Sequence, residues 1–291
     1  MPTLSGLIAV LMWGLLAVFS TFTRDIPPFQ LLVVCFSISF LLIVIKRLIQ
    51  QKPVFKPSSM TSQQWLVHTL CLFGFHFCYF MAIRYAPPVE VSLIGYLWPL
   101  LLGIYVAPQG LRLFALAGGL LGFAGSVFLV LSGESLSADM QYLPGYLLAF
   151  TCALIWSGYS WFLSRSHSEV EDIGWVSLLV AVLSLIAHLW LEQTQTSWTA
   201  SELCNALLLG LGPIGGAFYL WDIGMKNGDQ SLLASISFAT PVISAVALYA
   251  AGFSPLSTAV IVAVSLILSG ALITNNAQRI KHQLTKRRMT A

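Results

Sequence analysis

The hydrophobic positions of this chain form long tracts that are separated by short polar stretches. A helix needs about 20 apolar residues to cross a hydrocarbon core roughly 30 Å thick, and the tracts have that length. Because the tracts are continuous, they lack the alternation of a transmembrane β-strand. The pattern predicts an all-α polytopic membrane protein with ten transmembrane helices, at residues 5–22, 29–45, 65–83, 89–107, 111–131, 143–163, 174–191, 203–221, 231–252 and 256–274.

Composition leads to the same class of protein. Of 291 residues, 57% are hydrophobic and only 9% are charged, whereas soluble domains carry roughly 25% charged residues. The first tract lacks the basic start and the cleavage site of a signal peptide, so it is interpreted as the first membrane helix. The cysteines are odd in number and have no metal-ligand spacing, which indicates small core residues.

The basic residues predict the orientation of the chain. If the N-terminus is cytoplasmic, twelve Lys and Arg residues lie on the cytoplasmic side and only Arg24 and Arg84 lie outside. The positive-inside rule then places both termini in the cytoplasm of a bacterial-type inner membrane. The basic tail KHQLTKRR is interpreted as a topology anchor at the lipid surface rather than as a nucleic-acid site.

A weak internal repeat divides the chain into residues 1–138 and residues 139–291, the second half ending in the basic cytoplasmic tail. Each half has five spans, an odd number, so the second half is inverted relative to the first. Inverted repeats are typical of secondary transporters, whose substrate site lies near the midplane. A purely structural duplication would give the same pattern. Three matches define the repeat, at offsets of 143, 142 and 145: Trp13 with Trp156, Pro99 with Pro241, and Gly125 with Gly270.

Two prolines occupy matching positions inside the fourth and ninth spans. The ring of a helical proline presses on the carbonyl four residues earlier, which then lacks its helical partner. These residues are Gly95 for Pro99 and Ser237 for Pro241, and both are small. All four are therefore candidate hinge or gate residues, and the freed carbonyls are candidate acceptors for a substrate amine. An ordinary kinked membrane helix is the alternative.

Aromatic residues lie at mid-span, although Trp and Tyr normally form belts at the membrane interfaces. They predict a cavity with flat apolar walls and a few hydrogen-bonding groups. Tyr96 and Trp98 point about 200° apart on a helix, so both cannot face one substrate, and Tyr96 is preferred. The candidate substrate-binding residues are Tyr79, Tyr96, Trp98, Trp156, His76, Tyr159 and Trp221.

Ionisable residues inside a bilayer are costly and often functional. His76 is interpreted as a hydrogen-bonded packing residue or a proton carrier. Asp222 and Lys226, one helical turn apart, are interpreted as a structural ion pair or a gate. A surface pair is predicted for Arg84 with Glu90, and two further histidines near helix ends, His68 and His188, are expected to face the interface.

Two stretches resemble the drug/metabolite transporter superfamily with its EamA-type repeats, namely AIRYAPPVEVSLIGYLWP and FYLWDIGMKNGDQSLLASISFATP. They are most similar to its aromatic amino acid exporter (YddG-type) branch. The resemblance implies export of aromatic and other apolar amino acids by alternating access. The second half has Met225 and Lys226 where the first has Arg84 and Tyr85, so the halves differ in role. The positions that match the branch are Tyr79, Tyr96, Trp98, Pro99, Trp156, Trp221, Asp222, Lys226 and Pro241.

We therefore expect an inner-membrane amino acid exporter with a central aromatic-lined cavity. Its expected partners are a small-molecule substrate and the lipid bilayer, with no nucleic acid, obligate protein partner, cofactor, metal or catalytic residue. A multidrug or other small-metabolite exporter is the alternative within transport, and proton antiport and facilitated efflux both remain open. A membrane enzyme would need motifs such as HExxH, GxSxG or paired carboxylates, and a receptor would not explain the repeat.

Overall fold

A computed structural model describes residues 1–55, 58, 60–132, 139–255 and 258–290, excluding the side chains of 284–290. Lys56, the side chains of Lys286, Arg287 and Arg288, and the segment just before the predicted boundary after residue 138 lie outside this description. All of the regular secondary structure in the described residues is helical. Its α-helices are α1 (Pro2–Phe22), α2 (Pro28–Ile49), α3 (Ser62–Tyr85), α4 (Pro88–Gly95), α5 (Leu97–Val106), α6 (Arg112–Val130), α7 (Leu143–Leu163), α8 (Asp172–Leu191), α9 (Ala200–Leu211), α10 (Gly216–Asn227), α11 (Gln230–Ile236), α12 (Thr240–Ala250), α13 (Ala259–Asn275) and α14 (Ala277–Thr290).

These helices supply the ten predicted spans. Nine segments of the described chain are long and apolar enough to cross a membrane, and three of them are interrupted: α4 with α5, α9 with α10, and α11 with α12. The tenth span is α13, which bends by 65° into the start of α14. The fold is therefore an all-α polytopic membrane bundle of ten transmembrane helices, as the hydrophobic pattern predicted.

Local sequence determines where several helices begin. Prolines stand at the first or second position of α1, α2, α4, α7 and α12, where the missing N–H has no helical partner to lose. Thr61 begins α3 and Thr199 begins α9, each in a capping box with the Gln64 or Glu202 side chain. Each box satisfies two backbone N–H groups that would otherwise be unpaired.

The most extensive helix contacts join the two halves. α6 packs against α13, α2 against α8, α3 against α7, and α1 against α10. We call the end of the bundle where α1 begins the terminal end; α2 ends there and α3, α8 and α11 begin there. At this end Gly6 packs against Leu233, and a Cβ on Gly224 would lie 2.7 Å from the Gly6 Cα. α1, α10 and α11 are therefore closely packed at the terminal end.

Glycines allow the close approach of α6 and α13. A Cβ on Gly118 would lie 2.5 Å from the Gly270 carbonyl oxygen, and one on Gly125 would lie 2.9 Å from the Ala263 carbonyl. Backbone contact of this kind is typical of membrane helix pairs, where packing replaces the hydrophobic effect between helices.

Candidate functional site

The fourth and ninth spans are both broken next to their prolines. The fourth ends its first helix at Gly95 and resumes at Leu97, two residues before Pro99. The ninth passes through a 3₁₀ turn at Ser237–Ala239 before α12 starts, with Pro241 in its first turn. Since proline lacks an N–H and crowds the preceding turn, the helix interruption lies where that physical effect is strongest.

The Ser237 carbonyl, four residues before Pro241, is already hydrogen-bonded in this conformation. The Ser237 carbonyl oxygen accepts a hydrogen bond from the Thr240 hydroxyl at 2.8 Å and one from the Thr240 backbone N–H. The prediction that this carbonyl is free to accept a hydrogen bond from a substrate amine is therefore wrong here, because Thr240 already donates to it. At Gly95, apart from its chain neighbours and the backbone of its own helix, no atom lies within 4 Å of the position that a Cβ would take, so there is open space on that side of the residue.

Five aromatic rings form one cluster between α1, α5, α7 and α10, in which Trp156, Phe218 and Trp221 are buried and Trp13 and Trp98 are half-buried. Trp13 lies at its centre, and its ring centroid is 5.0 Å from that of Trp221, 5.5 Å from Trp156 and 6.2 Å from both Trp98 and Phe218. Trp98 and Trp156 also meet edge to face at 6.2 Å. We call these five residues the tryptophan cluster. Three of the predicted substrate-binding residues thus come together from three different helices.

The cluster follows the internal repeat. Trp13 and Trp156 are equivalent positions, and Phe75 and Phe218 are separated by the same offset of 143. Phe75 contacts Trp156 with centroids 5.1 Å apart, and Phe218 contacts Trp13 at 6.2 Å. The same aromatic pair thus occurs twice, each time between one half and the other, and Trp13 and Trp156 meet where the halves join. Such an interface is the usual place of a transporter's binding site.

Two indole N–H groups of the cluster have partners. Trp221 donates to the Ser160 hydroxyl at 3.0 Å, and Trp13 donates to the Pro213 carbonyl at 3.1 Å, in the break between α9 and α10. Buried tryptophan normally finds such a partner. These bonds orient two rings whose flat faces contact their neighbours.

The tyrosines among the predicted residues lie outside this cluster or at its edge. Tyr79 lies against a smaller group formed by Ala82, Val91 and Ala149, and its hydroxyl is 3.4 Å from that of Ser92. Tyr159 is buried, 5.8 Å from the Trp156 ring, and its hydroxyl is 2.9 Å from His68 Nδ1. Tyr96 is half-buried in the turn between α4 and α5.

The contacts of His76 are those of a packing residue. Its Nδ1 is 2.8 Å from the Leu72 carbonyl, and its ring packs edge to face against Phe36 and Phe218 at 5.2 and 5.8 Å. This placement favours packing, one of the two interpretations of the sequence. It also connects α3 to the tryptophan cluster through Phe218.

Asp222 and Lys226 form a buried ion pair near the terminal end. Lys226 Nζ donates to Asp222 Oδ2 at 2.8 Å, and also to the carbonyl and hydroxyl oxygens of Ser168 at 2.6 and 2.9 Å. Ser168 lies between α7 and α8. The pair therefore ties α10 to the loop that connects two other helices.

Three expectations about charged groups and histidines were wrong. Arg84 pairs with Glu192 at 3.1 Å, and Glu90 accepts a hydrogen bond from the Tyr146 hydroxyl, so the two do not pair with each other. His68 and His188 are buried rather than facing the interface. Arg84 and His68 have partners distant in sequence, Glu192 and Tyr159, whereas His188 is held by Glu192 and Thr194 just beyond its own helix.

The structure brings together several residues that the sequence pattern does not predict as site residues. Trp13, at the centre of the cluster, is marked in the sequence only by its match in the internal repeat, and Ser160 has no pattern that points to the site. The repeat itself would have identified Trp13 and Phe75 as partners of Trp156 and Phe218. Among the described residues, no three His, Cys, Asp or Glu side chains are grouped so that they could hold a metal ion.

Ten spans in two halves, with aromatic side chains buried where the halves meet, define a multi-pass membrane transporter. The model of the EamA-like transporter family matches this chain twice, over residues 2–131 and 143–276. The chain belongs to this family.

Individual relatives are similar over most of the chain. The aromatic amino acid exporter YddG of Ancylobacter novellus is 40% identical over 281 residues, which cover 93% of this chain and 96% of that protein. The proteins of the same name from Salmonella typhimurium and Escherichia coli are 26% and 25% identical, over 88% and 83% of this chain and 90% and 85% of their own lengths. A crystal structure that is 38% identical superposes with a TM-score of 0.88, covering 96% of this chain and 98% of that chain.

Proposed function

We propose that this protein exports aromatic and other apolar amino acids across the inner membrane by alternating access. The observation that carries the proposal is the tryptophan cluster at the junction of the halves, in a chain 40% identical to an aromatic amino acid exporter. Flat apolar rings at mid-membrane suit a flat apolar side chain, and the breaks in two spans give each half a point of bending.

In this proposal the terminal end is cytoplasmic. The basic residues predicted on that side, among them Lys46, Arg47 and Lys226, lie at helix ends of the terminal end, which supports the orientation through the positive-inside rule. The present conformation is then closed to the cytoplasm, because α1, α10 and α11 are in close contact there.

The proposed roles follow from placement. Trp98, Trp156 and Trp221, with Trp13, contact the substrate side chain once the cluster separates, and Tyr79, Tyr96, Tyr159 and His76 border the same space. Gly95 and Pro99 in one half and Ser237 and Pro241 in the other form the bending points. Asp222 and Lys226 close the cytoplasmic side.

Purified protein in liposomes tests the function. Vesicles loaded with labelled phenylalanine, tryptophan or leucine should release label faster than protein-free vesicles, while vesicles loaded with labelled glutamate should not. Trp98→Ala should reduce phenylalanine release and leave membrane insertion intact, and Leu113→Ala, on an exposed apolar face, is the matched control. Equal release with and without protein for all three amino acids would contradict the proposal, and release of flat cationic drugs instead would favour a multidrug exporter.

A further inference from the structure

One face of α10 leads from an aromatic residue of the tryptophan cluster to two charged residues near the terminal end. Phe218, Asp222 and Lys226 follow one another at intervals of four residues, so they share one face of the helix. Phe218 contacts Trp13 and Trp156, whereas Lys226 bonds to the loop beyond α7. A substrate that moved along this face would meet the two charges before it reached the rings.

The two charged groups differ in how many of their hydrogen-bonding atoms have partners. All three N–H donors of Lys226 have acceptors, one on Asp222 and two on Ser168. Asp222 is completely buried, yet its Oδ1 has no hydrogen-bond partner among the described residues. A buried acceptor without a donor is unfavourable, and more so when it is charged. The site therefore holds one unused acceptor beside a fully occupied ammonium group.

We propose that Asp222 and Lys226 bind the charged headgroup of an amino acid zwitterion as it enters from the terminal end. The α-ammonium group donates to Asp222 Oδ1, and the α-carboxylate replaces the two oxygens of Ser168 on Lys226. The inference rests on the proposed function, because it requires an amino acid as substrate. It adds a headgroup site, separate from the tryptophan cluster, that selects molecules carrying both charges.

The geometry of Ser168 supports this exchange. Its carbonyl and hydroxyl oxygens both accept from Lys226 Nζ, at 2.6 and 2.9 Å, so this one residue occupies two of the ammonium donors. Ser168 lies on the α7–α8 loop and Lys226 on α10, so movement of the loop away from α10 frees two donors at once. In the closed conformation the loop thus occupies the place of the substrate carboxylate.

Charge balance keeps the free-energy cost of this exchange low inside a membrane. Asp222 and Lys226 together are neutral, and a zwitterion is neutral, so the occupied site gains no net charge. An amine or an acid alone would leave one buried charge without its partner. The site should therefore discriminate against molecules that lack either headgroup charge, whatever their side chain.

Competition in proteoliposomes tests the headgroup site. Phenylalanine transport is measured with phenethylamine, which lacks the carboxylate, or 3-phenylpropionate, which lacks the ammonium group, added at the terminal side. In the wild type both should inhibit weakly. In the double variant Asp222→Leu with Lys226→Met, the KM for phenylalanine should rise at least about tenfold, and phenethylamine should then inhibit as well as phenylalanine. Replacing both members of a buried pair by apolar residues is often neutral for stability.

The outcomes separate the possible failures. A folded double variant, judged by its unfolding temperature, that retains the wild-type KM and discrimination would overturn the proposal. Ser168→Ala provides a second test, because it removes one oxygen that competes for Lys226: the KM should fall or stay unchanged, and a rise of severalfold would contradict the exchange. If the wild type transports no phenylalanine, the proposed function has failed instead.

Discussion

Glu192 connects several parts of the molecule that are distant in sequence. Its side chain accepts hydrogen bonds from the backbone N–H groups of Phe29 and Gln30, from Arg84 at 3.1 Å, and lies 2.9 Å from His188 Nδ1. Phe29 and Gln30 are in the first turn of α2, where N–H groups lack helical partners and favour a negative charge. A residue that follows α8 thus caps a helix of the other half.

Removal of this carboxylate should destabilise the fold. For Glu192→Ala we expect the free energy of unfolding to fall by about 2–3 kcal/mol, because a helix cap and charge-assisted bonds are lost together. SDS titration of the purified protein measures the change. Asp25→Ala is the control, since the pair that Asp25 forms with Arg24 is exposed, and equal effects of the two variants would contradict the role of Glu192.

Glu171 should make stability depend on pH. The Lys46 ammonium group, which donates to Glu171 at 2.9 Å, and then the Arg47 guanidinium hold the pKa of this carboxyl below its usual range. A lowered folded-state pKa gives stability that is fully present above the unfolded value of about 4.5 and is lost as the pH falls through the lowered pKa. The unfolding temperature between pH 7 and pH 3 should therefore fall less steeply in Glu171→Gln than in the wild type, and parallel curves would contradict this origin.

At the scale of the element, breaks rather than continuous helices distinguish three of the ten spans. The fourth and ninth break beside Pro99 and Pro241, and the eighth breaks at Gly212–Gly215, where the Pro213 carbonyl accepts the Trp13 N–H. Irregular backbone at membrane depth is tolerated where protein or a water-filled space satisfies it. All three breaks lie beside the tryptophan cluster or the junction of the halves.

Straightening the fourth span should slow transport more than it weakens binding. In Pro99→Ala the helix regains a backbone donor, so bending between α4 and α5 becomes costlier. We expect kcat for phenylalanine release to fall severalfold with KM nearly unchanged. Pro108→Ala, just beyond the end of α5, controls for loss of a proline elsewhere in the same region, and a large rise in KM at constant kcat would contradict a hinge.

The contact between α6 and α13 should tolerate no added carbon. Gly118→Ala places a Cβ 2.5 Å from the Gly270 carbonyl, so the helices must separate, and we expect a loss of roughly 1–3 kcal/mol. Gly158→Ala on α7 is the matched control, because nothing lies within 4 Å of its new methyl group. SDS titration compares the two variants, and equal stability would contradict the close packing of α6 against α13.

For the whole molecule, the extensive contacts between halves imply that the halves fold together. The largest helix pairs each join a helix before residue 131 to one after residue 143, so one half alone would expose surfaces that normally contact the other. A chain split within residues 133–138 should therefore transport only when both pieces are produced together. Each piece alone should be degraded in the membrane, and a protease-resistant single half would contradict this interdependence.

Several features could be predicted from the sequence because they depend on local chemistry. Helix breaks follow from Pro99 and Pro241, which act on their own turn, and the Asp222–Lys226 pair follows from a spacing of four residues. Partners across helices could not be predicted in this way. Closeness in sequence predicts a pair of Arg84 with Glu90, but Arg84 contacts Glu192, which lies 108 positions away.

The sequence by itself determined the class of protein, the number of spans and the repeated halves, because hydrophobic length and periodicity are properties of the chain alone. Only the tertiary structure decided that Trp13 lies at the centre of the aromatic cluster and that Thr240 donates a hydrogen bond to the Ser237 carbonyl. It also decided that Lys226 donates to Ser168, whereas Asp222 Oδ1 has no hydrogen-bond partner among the described residues. These facts depend on which helices meet and at what depth, and that is set by the close packing of small residues between halves far apart in sequence.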